Sequence, residues 1–239
     1  MDLVVAPPLP PRGEKDGLPA FMAPCEEHPQ PQSVHHAASC FNTRLEDIPT
    51  SYFHEKISIW KGDLTRLEID AVINAAKPSL LGGGGIDGAI HKAAGPGLYE
   101  ECSSLGGCEP GNAKITDGHN LPARHIIHAV GPVGEQPLVL ANCYQRSLEI
   151  LLENGLRTIC FCCISTGAYG YPSEKAAQEA LTTVRDWQLE KENNRRVDRI
   201  VFCTFLDNDK EIYETLGPKV FCQRPKSGGS TFEDRGEQF

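Results

Sequence analysis

The stretch Thr158–Ile164 (TICFCCI) carries no charge in seven residues, and it constrains the fold more than any other segment. A strand that alternates polar and apolar residues can leave one face in water, whereas an unbroken apolar strand needs cover on both faces. Strands that alternate with helices along the chain provide that cover, as an α/β domain with helices on both sides of a sheet. The alternation is present. Ile57–Lys61 and Ala71–Ala75 read as short β-branched strands, and Gly85–Ala94 and Pro96–Leu105 as helices. Pro96 stands at a first helical position, where its missing N–H costs nothing. His125–Val130 is a predicted strand, and Leu138–Asn154 an amphipathic helix closed by Gly155. Ser173 is placed to cap a helix reaching about Lys191. Val197–Phe205 is a further strand, and Asp207–Leu216 a last helix with an acidic start.

The rest of the 239 residues behaves differently. Half of the 18 Pro precede Thr50, among acids and His with no periodicity. Such a stretch cannot bury enough apolar surface to offset its ordering entropy, so residues 1–44 are expected to lack fixed structure. The Gly/Ser-rich, charged residues 223–239 are expected to do the same, which leaves one domain over residues 45–222. A formal net charge of -9 argues against a nucleic-acid backbone binder. No apolar run nears the ~18 residues of a membrane span. The first residues suit neither a signal peptide nor an Arg-rich transit peptide. Most of the ten Cys lie in apolar runs, where strand neighbours point to opposite faces. They are expected to be small buried thiols of a cytoplasmic or nuclear protein.

In an α/β sheet the ligand site lies on loops beyond the strand ends. Two loops stand out. After Ala71–Ala75 comes KPSLLGGGGIDGAIH, in which Gly82, Gly83, Gly84 and Gly85 remove every Cβ from one stretch of backbone. Main-chain N–H groups can then converge on an anion, and the helix that follows adds a positive partial charge. A diphosphate suits such a cradle better than a bare surface loop would explain it. Gly83, Gly85 and Gly88 also satisfy G-x-G-x-x-G. However, the first glycine lies too far beyond the strand, and no suitably spaced acid follows for a dinucleotide fingerprint. The second loop, STGAYGYP after Thr158–Ile164, offers hydroxyls, glycines and aromatics that could clamp a second phosphate and cover a sugar.

Single residues add chemistry. Asp87 and His91 stand at i and i+4, on one helix face. Asp87 could hold a water or sugar hydroxyl beside the anion, or could simply favour the helix start as a first-turn acid near solvent. Asp63, after the first strand, could accept from an exocyclic amine, or serve only as a turn residue. Ser165 lacks the glycine of a nucleophile elbow, and no Cys/His set shows zinc spacing.

Lys61-Gly62-Asp63-Leu64-Thr65, Val72-Ile73-Asn74-Ala75-Ala76, LLGGGGIDGAIH at 80–91, Ala93-Ala94-Gly95-Pro96, IHAVGP at 127–132 and ISTGAYG at 164–170 together resemble the MacroD-type macrodomain, from about Leu45 to Phe221. The resemblance implies a three-layer α/β/α fold around a mixed sheet, with ADP-ribose between the two loops. Asp63 and Leu64 would then meet the adenine end, with Phe205 as the aromatic nearby. Gly82, Gly83, Gly84, Gly85 and Ile86, with Ser165, Thr166, Gly167, Ala168 and Tyr169, would wrap the diphosphate. Asn74 would bind the distal ribose, Asp87 would orient it or the attacking water, and His91 would shape that end of the pocket. Family enzymes remove mono-ADP-ribose from Asp and Glu of proteins and deacetylate O-acetyl-ADP-ribose. The expected partners are mono-ADP-ribosylated proteins, ADP-ribose and O-acetyl-ADP-ribose, with no metal or cofactor, and a monomer that meets neither nucleic acid nor membrane is expected.

One position departs from the pattern. Where the family has Asn-Ala-Ala-Asn, this chain has Asn74-Ala75-Ala76-Lys77. An amide offers donors and an acceptor to a ribose hydroxyl, whereas an ammonium offers donors only, on a longer arm. Lys77 could still attract the diphosphate, so two readings follow. One is a hydrolase; the other is a module that holds ADP-ribose and turns it over slowly or not at all.

Overall fold

In the computed structural model, residues 42–190 and 192–222 are described. The apolar segments form β2 (Ile57–Lys61), β4 (Ala71–Ala75), β6 (His125–Ala129), β7 (Thr158–Phe161) and β8 (Arg199–Thr204), after a short β1 (Thr43–Arg44) and with β3 at Leu67–Glu68. A further strand, β5 (Ala113–Asp117), is one the periodicity did not predict. The helices are α1 (Gly85–Ala94), α2 (Pro96–Ser104), α3 (Pro137–Glu153), α4 (Ser173–Leu189), a one-turn α5 (Asn193–Arg196) and α6 (Asp207–Phe221).

Six strands make the main sheet in the order β2-β8-β7-β4-β6-β5. All neighbours are parallel except β5, which runs antiparallel to β6 at the edge. The sheet is therefore mixed. As its apolar sequence demanded, β7 lies inside, between β8 and β4, with Ile159, Cys160 and Phe161 fully buried. Helices α3, α4 and α6 pack as one layer, while α1 and α2 pack on each other and on β4 and β5. Rings cross the first of these interfaces in a line: Tyr144 of α3 lies 4.9 Å from Phe161, Phe161 lies 6.0 Å from Phe202, and Phe202 lies 5.3 Å from Tyr213 of α6. This is the expected α/β/α arrangement.

At the N-terminal end of the strands Asp70 ties three segments together. Its Oδ2 accepts from the N–H of Arg157 and Thr158, each at 3.0 Å, and from the Thr158 hydroxyl at 2.9 Å. Arg124 donates to its Oδ1 at 3.2 Å.

Several expectations need correction. Thr43 and Arg44, assigned to the unstructured segment, pair in parallel with β3; residues 1–41 and 223–239 lie outside those described. The strand at Thr158 ends at Phe161 because the chain turns away there to build a loop. The last helix runs on to Phe221, through Pro218, because its buried face continues with Leu216 and Val220. Ser173 does not cap α4: it is the first helical residue, and the extended Pro172 stands in the cap position. Among the described cysteines seven are free, as expected for thiols in apolar runs, but Cys222, beyond those runs at the end of α6, is disulfide-bonded. No helix of the described residues is long and apolar enough to cross a membrane.

Candidate active site

Because β2, β8, β7, β4 and β6 run the same way, the segments leaving their C-terminal ends emerge in that order along one edge. They are residues 62–64, Phe205, residues 162–171, residues 76–84 and residues 130–132. With neighbouring strands ~4.8 Å apart, the row is about 19 Å long.

The glycine loop is folded down onto the helix that follows it. Leu80 (φ 61), Gly82 (φ 68) and Gly85 (φ 59) turn the backbone through the left-handed region. At Gly82 a Cβ would be strained by that backbone and would stand 3.2 Å from Cγ of His91. At Gly88, in α1, a Cβ would stand 2.5 Å from the carbonyl oxygen of Gly83, so only a bare backbone allows the loop to rest there. Among the described residues the N–H groups of Gly82, Gly83 and Gly84 donate to no protein group. Gly85 and Ile86 add the first-turn N–H groups of α1, which helical bonding leaves open.

The loop after β7 is held by its own bonds. The Tyr171 N–H donates to the Ser165 carbonyl at 3.0 Å, the Gly170 N–H to the Gly167 carbonyl at 2.9 Å, and the Thr166 hydroxyl to the Cys163 carbonyl at 3.1 Å. Ser165 takes φ 67, uncommon for a residue with a Cβ, and its buried Oγ lies against Gly131 without a hydrogen-bond partner. The N–H groups of Thr166, Gly167, Ala168 and Tyr169 have no protein acceptor among the described residues. Two rows of open N–H groups thus leave adjacent strands β4 and β7, the arrangement that binds anions.

Beside the glycine loop, polar groups meet in the interior. Asn74 Nδ2 donates to Asp87 Oδ1 at 2.8 Å and lies 3.0 Å from His128 Nδ1. His128 Nε2 lies 3.0 Å from Thr116 Oγ1 and 3.6 Å from Cys102 Sγ. The Thr116 hydroxyl in turn donates to the Asp117 carbonyl at 3.1 Å. Asn74 is fully buried, and its Oδ1 has no partner. Asp87 is not near solvent as expected. It is 3% exposed, because the first turn of α1 is laid over the end of β4, with Oδ2 turned towards Gly83. His91 Nε2 is 3.5 Å from Asp87 Oδ1, in ion-pair range but without hydrogen-bond alignment.

Burial, reinforced by the neighbouring His91 and His119, drives the pKa of His128 down to about 3. Burial, helped by Glu101 and Asp87, pushes the Cys102 thiol up to about 11. His91, Cys102 and His128 bring three ligand atoms within 4.8 Å of one another, a grouping that sequence spacing could not show because three elements assemble it. Their chemistry does not suit a metal as they stand. Both ring nitrogens of His128 are already engaged, Nδ1 by Asn74 and Nε2 by Thr116.

The remaining predicted residues sort as follows. Asp63 Oδ1 accepts from the Thr65 N–H at 3.0 Å and the Thr65 hydroxyl at 2.6 Å, so it caps a short turn at the β2 end of the row. Leu64 does not present its side chain to the cleft; that side chain is in the core, which leaves only its backbone. Phe205 is 82% exposed where β8 ends. Lys77 is exposed, and its Cδ is 3.9 Å from the point where a Gly83 Cβ would stand. Sequence reasoning placed Asn74, Asp87 and His91 together but missed Thr116, Cys102 and the part of His128; the histidine of IHAVGP was in plain view, and only the sheet register reveals its partners.

The fold and the site define a class: an α/β/α domain that presents a backbone anion cradle, with an asparagine–aspartate pair at one end, along the C-terminal edge of its sheet. A family profile for the Macro domain matches residues 73–180. The chain is 52% identical over 185 residues to the protein named ADP-ribose glycohydrolase MACROD2 of Xenopus laevis, covering 75% of this chain and 43% of that one. It is 51% identical over 174 residues to ADP-ribose glycohydrolase MACROD1 of Rattus norvegicus, covering 70% and 67%. The crystal structure of a Trypanosoma brucei macrodomain in complex with ADP-ribose matches with a TM-score of 0.70 and 41% identity, over 73% of this chain and 76% of that chain. The chain belongs to the macro domain family. It spans less than half the length of the MACROD2 relatives it matches, at 43%, 34% and 39%.

Proposed function

We propose that the cleft binds ADP-ribose and that the protein hydrolyses mono-ADP-ribose from aspartate and glutamate side chains of proteins, and deacetylates O-acetyl-ADP-ribose. The observation that carries this reading is the Asn74–Asp87 pair, buried at one end of two rows of open N–H groups. The N–H rows suit a diphosphate. At the β2 and β8 end, Asp63 and Phe205 suit an adenine amine and ring. At the other end, the unpartnered Oδ1 of Asn74 suits a hydroxyl of the distal ribose, and the Oδ2 of Asp87 can accept from an attacking water. Hydrolysis by water needs no redox group, and all these groups come from one chain. The names of the relatives at about half identity, ADP-ribose glycohydrolases, support the same activity.

A second reading rests on Lys77, which leaves the Asn-Ala-Ala-Asn pattern incomplete. With a donor-only side chain at that corner, the protein would hold ADP-ribose without turning it over. One experiment separates the two: the full chain is incubated with a transferase automodified on acidic residues, and free ADP-ribose is measured. Calorimetry accompanies it, with ADP-ribose expected to bind one to one at micromolar strength, about -8 kcal/mol, and AMP far more weakly. Release of ADP-ribose supports the hydrolase. Binding without release supports the reader. Equal affinity for AMP and ADP-ribose removes the role given to the glycine loop.

A further inference from the structure

The hydrogen-bond directions around Asn74 are determined by chemistry. The Asp87 carboxylate can only accept, so the group that Asn74 turns to it at 2.8 Å is the NH2. The same nitrogen, with its second hydrogen, lies 3.0 Å from His128 Nδ1, which must therefore be the bare, accepting nitrogen of the ring. The proton of neutral His128 is then on Nε2, where it faces Thr116 Oγ1 at 3.0 Å. Thr116 is free to accept it because its own hydroxyl proton goes to the Asp117 carbonyl. From Asn74 through His128 to Thr116 each donor has an acceptor, with Cys102 Sγ a second and longer neighbour of the Nε2 proton at 3.6 Å, and one atom of Asn74 is left over, its buried Oδ1.

We infer that His128 is a positioning residue: by taking the second hydrogen of the Asn74 amide it fixes the plane of that amide, so that the buried, unpartnered Oδ1 is held in one direction as the acceptor for a ligand hydroxyl. Asp87 alone would set which end of the amide points inward while leaving the plane free to swing about one bond. Two acceptors on one NH2 remove that freedom. The edge strand β5 takes part at a distance, since Thr116 holds the far side of the ring. This inference rests on the reading of the cleft as an ADP-ribose site, with the distal ribose at Asn74.

The test compares ADP-ribose with ADP, which lacks the distal ribose. His128→Leu removes the accepting nitrogen at similar volume, and His128→Asn restores an acceptor, because the asparagine oxygen is bonded to Cγ as Nδ1 is. Loss of one well-aimed hydrogen bond should weaken ADP-ribose binding by His128→Leu about tenfold. ADP affinity should stay within about twofold, and His128→Asn should recover most of the loss. A purely structural role would lower both affinities together, and that result, or no change in either, overturns the inference. Nitrogen-detected NMR of the unliganded wild-type chain supplies a readout independent of ligand and of folding of the variants. A proton on Nε2 and none on Nδ1 is expected, and the opposite tautomer overturns it. Binding without turnover would sink the hydrolase and leave this inference standing. Absence of ADP-ribose binding would sink the cleft reading, and with it the ligand role of Asn74, whatever the tautomer.

Discussion

The amide of Asn74, on the second strand of the parallel series, donates to the carboxylate of Asp87, on the helix behind the glycine loop, at 2.8 Å. That bond joins β4 to α1 beside the glycine loop, and it gives Asp87 two tasks at once. One is to steady a buried amide; the other, under the proposed function, is to accept from water through Oδ2.

Asp87→Ala should therefore cut the single-turnover rate at least tenfold, about 1.4 kcal/mol of barrier. It should also lower stability by about 1–3 kcal/mol, because a buried Asn74 hydrogen loses its acceptor. Asp87→Asn, which can still accept from Asn74, should keep most of the stability and share the loss of rate. Rapid-quench kinetics at saturating substrate and urea unfolding check the two halves. A folded Asp87→Ala protein with wild-type rate would move catalysis elsewhere in the cleft.

Lys77 reaches over Gly83 on the side where Asp87 Oδ2 lies, 3.0 Å from the same point above Gly83. If its arm displaces the distal ribose, Lys77→Asn should raise kcat with little change in ADP-ribose affinity. A displacement near 1 Å is worth about a hundredfold in rate. An unchanged or lower kcat would make Lys77 a working replacement for the amide.

Gly88→Ala probes how the glycine loop is seated on α1. Its methyl group would meet the Gly83 carbonyl and lift the loop from α1. Affinities for ADP-ribose and ADP should fall together, by about tenfold or more, since both carry the diphosphate. Calorimetry with both ligands reads this directly, and a loss confined to ADP-ribose would contradict the diphosphate role of the loop.

The buried imidazole of His128 makes stability depend on pH. Its pKa is about 3 in the fold against an ordinary 6.5. Between those values the unfolded chain takes up a proton that the folded one refuses. The contribution of His128 is complete above pH 6.5 and declines on acidification, by about 1.4 kcal/mol per pH unit. Burial lowers His54 in the same direction. Urea unfolding at pH 6.5, 5.5 and 5 should show a steeper loss for the wild type than for His128→Asn. Equal slopes would mean that the folded protein accommodates the charge on His128.

What the sequence made legible was whatever an apolar run or a bare backbone reports locally. The parallel strands announced themselves through stretches such as Thr158–Phe161, and the glycine loop by its missing side chains. The strand Ala113–Asp117 did not: as an edge strand it carries Lys114 and Asp117, and glycines at 106, 107 and 111 precede it. Its identity comes from pairing with β6, a contact no local pattern encodes. The burial of Asp87 is equally hidden: the motif places it beside the glycine loop, but only the packing of α1 on β4 sets it against Asn74. Leu64 illustrates the reverse case, where a motif position expected at the ligand sends its side chain into the core and leaves only its backbone for that role.

The Asp70 junction sits at the end of the sheet away from the cleft, joining the starts of two strands to Arg124. Asp70 therefore adds hydrogen bonds at the end of the sheet away from Asn74 and Asp87. Substitutions around Asp70 can change how much heat the fold tolerates while the edge that carries Asn74 and the glycine loop is left alone, so a hardier variant can be sought there without touching the groups proposed to meet ligand.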